Sequence, residues 1–217
     1  MEQKKMNTAA KSHDQLVKNL IPSVVMPLLQ AQYPDKTFEH KTRIYLREYV
    51  PAHYQLSNPN SFICPDGGVV LADGVPVLIC EAKKQGTNDC RLEAGLPRQS
   101  VGNAIERMHK NLNELREYMN RYDHFPYLVF CTGCDFQSGS QNVIDKLSTA
   151  THYSPFNQLH VIDKPRSTIV EKRTEQRVKR ASVFVQVEPY EPQFIVKQCL
   201  AAVAQVLEHL GTEAEAH

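Results

Sequence analysis

Two apolar runs, Val69–Ala72 and Val75–Cys80, meet at Asp73-Gly74, and this pairing constrains the fold more than any other feature of the chain. Gly tolerates positive φ and Asp often does, so the dipeptide predicts a tight hairpin turn. The runs are rich in Val, Ile and Leu, as expected of two paired strands with little exposed surface. Pro76 suits the first residue of a strand or an edge position, where no ladder donor is required.

The ends of this hairpin carry chemistry. Pro65-Asp66-Gly67-Gly68 precedes it and Glu81-Ala82-Lys83 closes it. Folding at Asp73-Gly74 returns Asp66 beside the far end of the second strand. Glu81 and Lys83 lie two residues apart, so their side chains leave the same face. Ala82 points the other way, but its carbonyl remains available to a cation. Two carboxylates can hold Mg²⁺, a hard cation that prefers oxygen. Such a metal activates water and stabilises charge on a phosphate under attack, and an ammonium group stabilises the same charge. The residues point to a metal-dependent nuclease. The alternative is a chance meeting of Pro-Asp with Glu-x-Lys.

The rest of the chain sets the frame. At 217 residues it suits one large domain or at most two small ones, and is read as a single nuclease domain over 1–217 with flexible ends at 1–12 and 211–217. No apolar run is long enough to span a membrane. The polar start, Met1 to His13, lacks the apolar core of a signal peptide, so a cytoplasmic protein is the simplest reading. The net charge of +1 neither announces nor excludes a nucleic-acid partner, because binding needs only a local basic surface. Lys172, Arg173, Arg177, Lys179 and Arg180 form the densest basic cluster, either a phosphate contact or a solvated face. Of six cysteines, Cys64 and Cys80 read as small core residues. Cys131 and Cys134 have metal-ligand or redox spacing but no second such pair, which makes structural zinc a weak reading. The nine histidines are dispersed and read as surface or packed residues.

Periodicity predicts a helix over Lys11–Ala31, broken or bent near Pro22 and Pro27. It predicts a strand over Phe38–Val50 and, after the hairpin, a loop over Thr87–Arg98. The clearest helix runs from about Ser100 to Tyr122, with Val101, Ile105, Met108, Leu112, Leu115 and Met119 on one buried stripe. A strand is predicted at Tyr127–Cys131, a brief helix at Ile144–Thr149, strands at Leu159–Ile162 and Ser182–Val187, and a closing helix at Phe194–Leu210. Helices and strands alternate around one sheet, so the class is α/β.

The polar face of the long helix presents Asn103, Glu106, Arg107 and Lys110. Asn suits adenine, Arg suits guanine or adenine N7, and Glu accepts from exocyclic amines. The plain alternative is a solvated face with a Glu106–Lys110 pair.

Pro65-Asp66-Gly67-Gly68, Glu81-Ala82-Lys83-Lys84-Gln85-Gly86, Gly102-Asn103-Ala104-Ile105-Glu106-Arg107, His109-Lys110-Asn111 and His124-Phe125-Pro126-Tyr127, in this order, resemble the EcoRI-type restriction endonucleases. The resemblance is good over residues 62–131 and fainter to 155. It implies a PD-(D/E)xK restriction-endonuclease-like core, with a central mixed sheet flanked by helices. It also implies a homodimer, Mg²⁺ dependence, cleavage of both strands of DNA at a short palindrome, and a companion methyltransferase that protects the host's own sites. Carried over by residue, Asp66 and Glu81 would bind the metal with the Ala82 carbonyl, and Lys83 would assist the attacking water. Gln85 would support the site or touch the backbone. Asn103, Ala104, Glu106 and Arg107 would read adenine-rich inner base pairs, as in an AATT core. Near residue 146 the family has two basic residues one turn apart, whereas this chain has Lys146 and Val143. The outer base pairs are therefore expected to differ. A structure-specific or repair nuclease on the same core, a non-catalytic DNA-binding protein and a metabolic α/β protein are the competing classes. No Gly-rich phosphate loop supports the last of these.

Overall fold

The hairpin forms as the sequence predicts, and the sheet grows from it. This computed structural model describes residues 14–51, 53, 56–84, 91, 93–97, 102–122, 124–133, 158–163, 168–169, 181–186 and 188–214; for 102–109, 158–163, 168–169, 181 and 212–214 it describes the backbone. Strands β4 (Gly68–Ala72) and β5 (Val75–Lys84) pair antiparallel, with Ala72 opposite Val75. Asp73 and Gly74 both take positive φ, 50° and 83°, the requirement of a two-residue primed turn. The Asp73 carboxylate accepts the Thr37 N–H and the Lys36 ammonium, each at 2.9 Å. These two contacts, the backbone donor foremost, hold its carboxyl below the usual range. Pro76 lies before the ladder to the next strand begins at Ile79, so its missing donor falls at an edge-like position.

Seven strands form the main sheet in the order β1-β4-β5-β6-β9-β7-β8. Its other members are β1 (Phe38–Lys41), β6 (Tyr127–Thr132), β7 (Gln158–Asp163), β8 (Thr168–Ile169) and β9 (Ala181–Gln186). The central run β5-β6-β9-β7 is parallel, and antiparallel pairs close both sides, giving a mixed sheet. Parallel strands are buried on both faces, which explains the unbroken burial of β6.

Helices supply that cover. On one face lies α1, residues 14–32, together with α3 (Pro192–Ala214); Ile21, Val25, Leu29, Ile195, Cys199 and Val203 pack on Leu78, Cys80, Leu128 and Phe130. On the other lies α2 (Gly102–Met119), whose Leu112, Leu115 and Met119 pack on Ile79, Tyr127 and Val129. Beside α2 sits a small second sheet of β2 (Ile44–Tyr45) and β3 (Phe62–Ile63).

The structure adjusts several expectations. The irregularity expected near the prolines of the helix over 11–31 takes the form of a π-turn, Ile21–Val25, which absorbs Pro22 before α-helix resumes over Met26–Gln32. The expected strand Phe38–Val50 divides into β1, β2 and a 3₁₀ turn at Leu46–Glu48. Arg91 and Glu93 are helical within the stretch expected to be loop. Helix α3 continues past Leu210 to Ala214. Cys80 is buried as expected, whereas Cys64 is exposed just ahead of Pro65. The brief helix at 144–149, Cys134 and the basic cluster at 172–180 lie outside the described residues.

Candidate active site

The site is assembled where the Asp66 turn lies against β5. Gly67 donates its N–H to Cys80 O at 3.0 Å, and Gly68 donates to Pro65 O at 2.9 Å, so residues 65–68 form a tight turn laid flat on the strand. Side chains would prevent this approach. A Cβ on Gly67 would stand 2.5 Å from Cys80 Cβ, and one on Gly68, at φ +72°, would stand 2.5 Å from Lys41 O. The two glycines are the local reason that Asp66 can reach the strand.

Asp66, Glu81 and Lys83 then interlock. The Asp66 N–H donates to Glu81 Oε2 at 3.1 Å, and the Ala82 N–H donates to Asp66 Oδ2 at 3.2 Å. Lys83 Nζ contacts Glu81 Oε1 and lies 3.6 Å from Asp66 Oδ2. The three side chains that the sequence sets 15 and 2 residues apart thus meet at one point. Glu81 and Lys83 project from the same face of β5 as Ile79, toward α2, while Cys80 and Ala82 face α1 and α3. The Ala82 N–H is aimed at Asp66, and in an extended strand the C=O of a residue is directed to the same edge as its N–H. That carbonyl therefore lies on the Asp66 side.

Burial divides the carboxylates. The Glu81 side chain is 2% exposed, while that of Asp66 is 30% exposed. Burial pushes the Glu81 carboxyl up to about 7; Lys83 opposes the shift and the neighbouring Asp66 charge adds to it. For Lys83, burial disfavours the charge, but Glu81 and Asp66 outweigh it and the ammonium titrates above its ordinary value. A lysine held charged by two carboxylates is a ready electrostatic stabiliser for an anion.

Three further residues belong to the neighbourhood and were not singled out from sequence. Asn111 on α2 donates Nδ2 to Glu81 Oε1 at 2.8 Å. It lies in the His109-Lys110-Asn111 segment, and only the packing of α2 on the sheet reveals its target. Asp14, the first described residue of α1, titrates high because of burial first and the Asp66 charge second. Tyr127 is fully buried on β6, and its hydroxyl has no hydrogen-bond partner among the described residues. Burial foremost, then the Glu81 charge, raises that phenol well above its ordinary value.

The donor set fits a hard divalent cation. It offers two carboxylates and a backbone carbonyl, all oxygen, with the Asp66 side chain open to solvent, and such ions commonly keep several waters beside one or two carboxylates. Among the described residues no group of three or more His, Cys, Asp and Glu side chains is placed to hold a metal ion. Cys131 is buried and its thiol is pushed up to about 12 by burial.

The sequence-predicted base readers Asn103, Ala104, Glu106 and Arg107 occupy the first turns of α2. Their side chains, Gln85, Val143 and Lys146 lie outside the described residues. Lys110 is exposed and sits 3.8 Å from Glu114, a surface pair one turn apart. Among the described residues no helix is long and apolar enough to cross a membrane.

A sequence model described as restriction endonuclease EcoRI matches residues 2–140. The chain is 29% identical, over 217 aligned residues, to the type II restriction enzyme EcoRI of Escherichia coli; the alignment covers 82% of this chain and 77% of that protein. It is 33% identical over 156 residues to the type II restriction enzyme RsrI of Cereibacter sphaeroides, covering 62% of this chain and 56% of that protein.

Proposed function

The chain belongs to the EcoRI restriction endonuclease family, and from that premise we propose that it is an Mg²⁺-dependent enzyme cleaving both strands of DNA at a short palindrome with an A/T inner core. The observation that carries the catalytic part is the meeting of Asp66, Glu81 and Lys83 at one point on the face of β5 toward α2. Asp66, Glu81 and the Ala82 carbonyl would hold the metal. When bound, the metal supplies Lewis-acid stabilisation of the phosphate and an acidified water.

The protein's own groups have distinct parts. Lys83 lies against both carboxylates and so stands beside the position of a bound phosphate, where it offsets developing negative charge and orients the attacking water. Glu81, held by Asn111 and by the Asp66 N–H, is fixed in orientation before substrate arrives. Asp66, the more exposed carboxylate, provides the outward-facing oxygen ligand. Ile79, Val129 and Tyr127 form an apolar floor under these groups, which strengthens each electrostatic contact above it.

Recognition is assigned to the N-terminal half of α2, with Asn103, Ala104, Glu106 and Arg107 reading inner bases and Gln85, Lys110 and Lys146 supporting DNA contact. The chemistry of these side chains and their place on the helix that reaches Glu81 support the reading. A palindromic site implies a two-fold homodimer, and a restriction activity implies a protecting methyltransferase.

The test is a digest of a large, fully sequenced DNA with and without Mg²⁺, beside Asp66→Ala. Discrete Mg²⁺-dependent fragments, absent in the variant, are expected, and sequencing their ends gives the site. A smear would leave a nuclease without specificity, and fragments whose ends lack a common A/T core would overturn the assigned base reading.

A further inference from the structure

We propose that the small β2–β3 sheet is a second DNA contact, a phosphate clamp in which Arg43 and Arg47 grip the backbone of the strand beside the scissile phosphate. The inference rests on the nuclease reading and adds to it a surface that none of the family's motifs above includes.

Four side chains form a continuous ladder across this sheet. The Arg43 guanidinium lies 4.4 Å from the centroid of the Phe62 ring, Phe62 meets Tyr45 edge-on at 5.9 Å, and Arg47 lies 4.7 Å from the centroid of the Tyr45 ring. Arg47 also donates to Asn60 Oδ1 at 3.1 Å. Both arginines are exposed, as is Phe62 at 45%. Among the described residues neither arginine has a carboxylate partner, and the nearby Glu48 is taken by Lys41 and by the Tyr45 N–H.

Stacking explains why this is a built feature and not two loose cations. A guanidinium on an aromatic ring uses its face, and its N–H donors radiate in the plane, where they stay available to an acceptor. The rings thus remove much of the side-chain freedom that an arginine would otherwise lose on binding. Planar forked donors match phosphate oxygens better than any other side chain.

Position gives the occupant. Ile44 and Ile63 are buried against Leu112, Leu115 and Tyr118, and Tyr49 meets Tyr118 edge-on at 5.7 Å, so the small sheet is fixed to α2 on the face toward which Glu81 and Lys83 project. Phe62 precedes Asp66 by four residues, which limits their separation to about 14 Å. At about 3.4 Å of helix rise per phosphate, one DNA strand presents roughly four phosphates over that distance. A duplex engaged at Asp66 therefore passes within reach of the two guanidinium groups.

Binding of a short duplex of arbitrary sequence to the Asp66→Ala protein is measured by fluorescence anisotropy across a range of salt. The same protein is then measured with Arg43→Gln, Arg47→Gln and both, with thermal unfolding recorded for each. Each phosphate contact contributes about 0.9 to the slope of log affinity against log salt, so the double variant is expected to lose nearly two from that slope. The loss should be the same on unrelated sequences. A folded double variant that keeps the parent slope overturns the clamp and leaves the arginines as packing for the small sheet. An Asp66→Ala parent that shows no salt-dependent binding overturns the DNA reading itself. Should the Gln pair unfold, Arg43→Met with Arg47→Met keeps the apolar stems on the rings and removes the charge; the same slope change or its absence then decides.

Discussion

Strand β5 presents two faces that obey different rules. On one, Leu78, Cys80 and Ala82 are packed by α1 and α3, and every group is apolar or an unionised thiol. On the other, Ile79 gives way to Glu81 and Lys83 beneath α2, and two charges are held where water is nearly excluded. The first face follows the economy of burial, at about 25 cal/mol per Å² of apolar surface. The second accepts a costly arrangement, since charges taken from water lose more than hydrophobic groups of the same volume would. One strand thus separates stability and chemistry by the two-residue period alone.

Mutations on the two faces should therefore fail differently. The largest expected effect is on the charged face: Lys83→Ala should lower cleavage by about 10²–10³-fold, the scale for removing one preorganised stabilising group. Its cost in stability should stay under about 2 kcal/mol, because the buried Glu81 can take a proton once its cation is gone. Denaturant unfolding beside a cleavage assay checks this; a variant that is mainly unfolded would erase the contrast between the faces. On the apolar face, Leu78→Ala should destabilise by about 3 kcal/mol, while cleavage per folded molecule stays near the parent value.

The smallest effect sharpens the comparison through pH. Glu81 has a folded value near 7, raised from 4.5. A carboxyl raised on folding lends stability fully present below its unfolded value and lost as pH rises through the folded one. Metal-free protein should therefore lose stability between about pH 4.5 and 7, and Glu81→Gln should flatten that part of the profile. Mg²⁺ needs the ionised form, so its binding near neutrality should release a proton, visible as buffer-dependent heat in calorimetry. A profile unchanged by Glu81→Gln would assign the titration elsewhere.

Much of the candidate site was legible in the chain. Asp73-Gly74 fixed the turn, but a bulge between Val70 and Leu71, which the chain does not announce, shifts the register by one residue before the hairpin brings Asp66 to Glu81 and Lys83 across 15 residues of sequence. Glu81 and Lys83 shared a face because strands alternate. What stayed hidden was contact made through tertiary packing. Asn111 looks like any polar residue on an amphipathic helix until α2 is laid on the sheet. Arg43 and Arg47 fell inside a stretch expected to be one strand, and the division into β1 and β2 is what turns Tyr45 and Phe62 into a platform for them. The prolines of α1 marked an irregularity without giving its form: the α-helix gives way to a π-turn at Ile21–Val25, which accommodates the Pro22 ring.

Cys80, immediately before Glu81, meets Cys199 of α3 with sulfurs 3.5 Å apart and 119 residues between them in sequence. At a synthesis rate of roughly 5–20 residues per second, that interval lasts on the order of 6–24 seconds. Over that time a growing chain has made its carboxylates but not the helix that backs them, and β9, the neighbour of β6, is still missing for most of it. Strand pairing over such separations is also slow to form once the residues exist. The Asp66, Glu81 and Lys83 cluster thus gains the helix that backs its strand only late in synthesis, timed by topology.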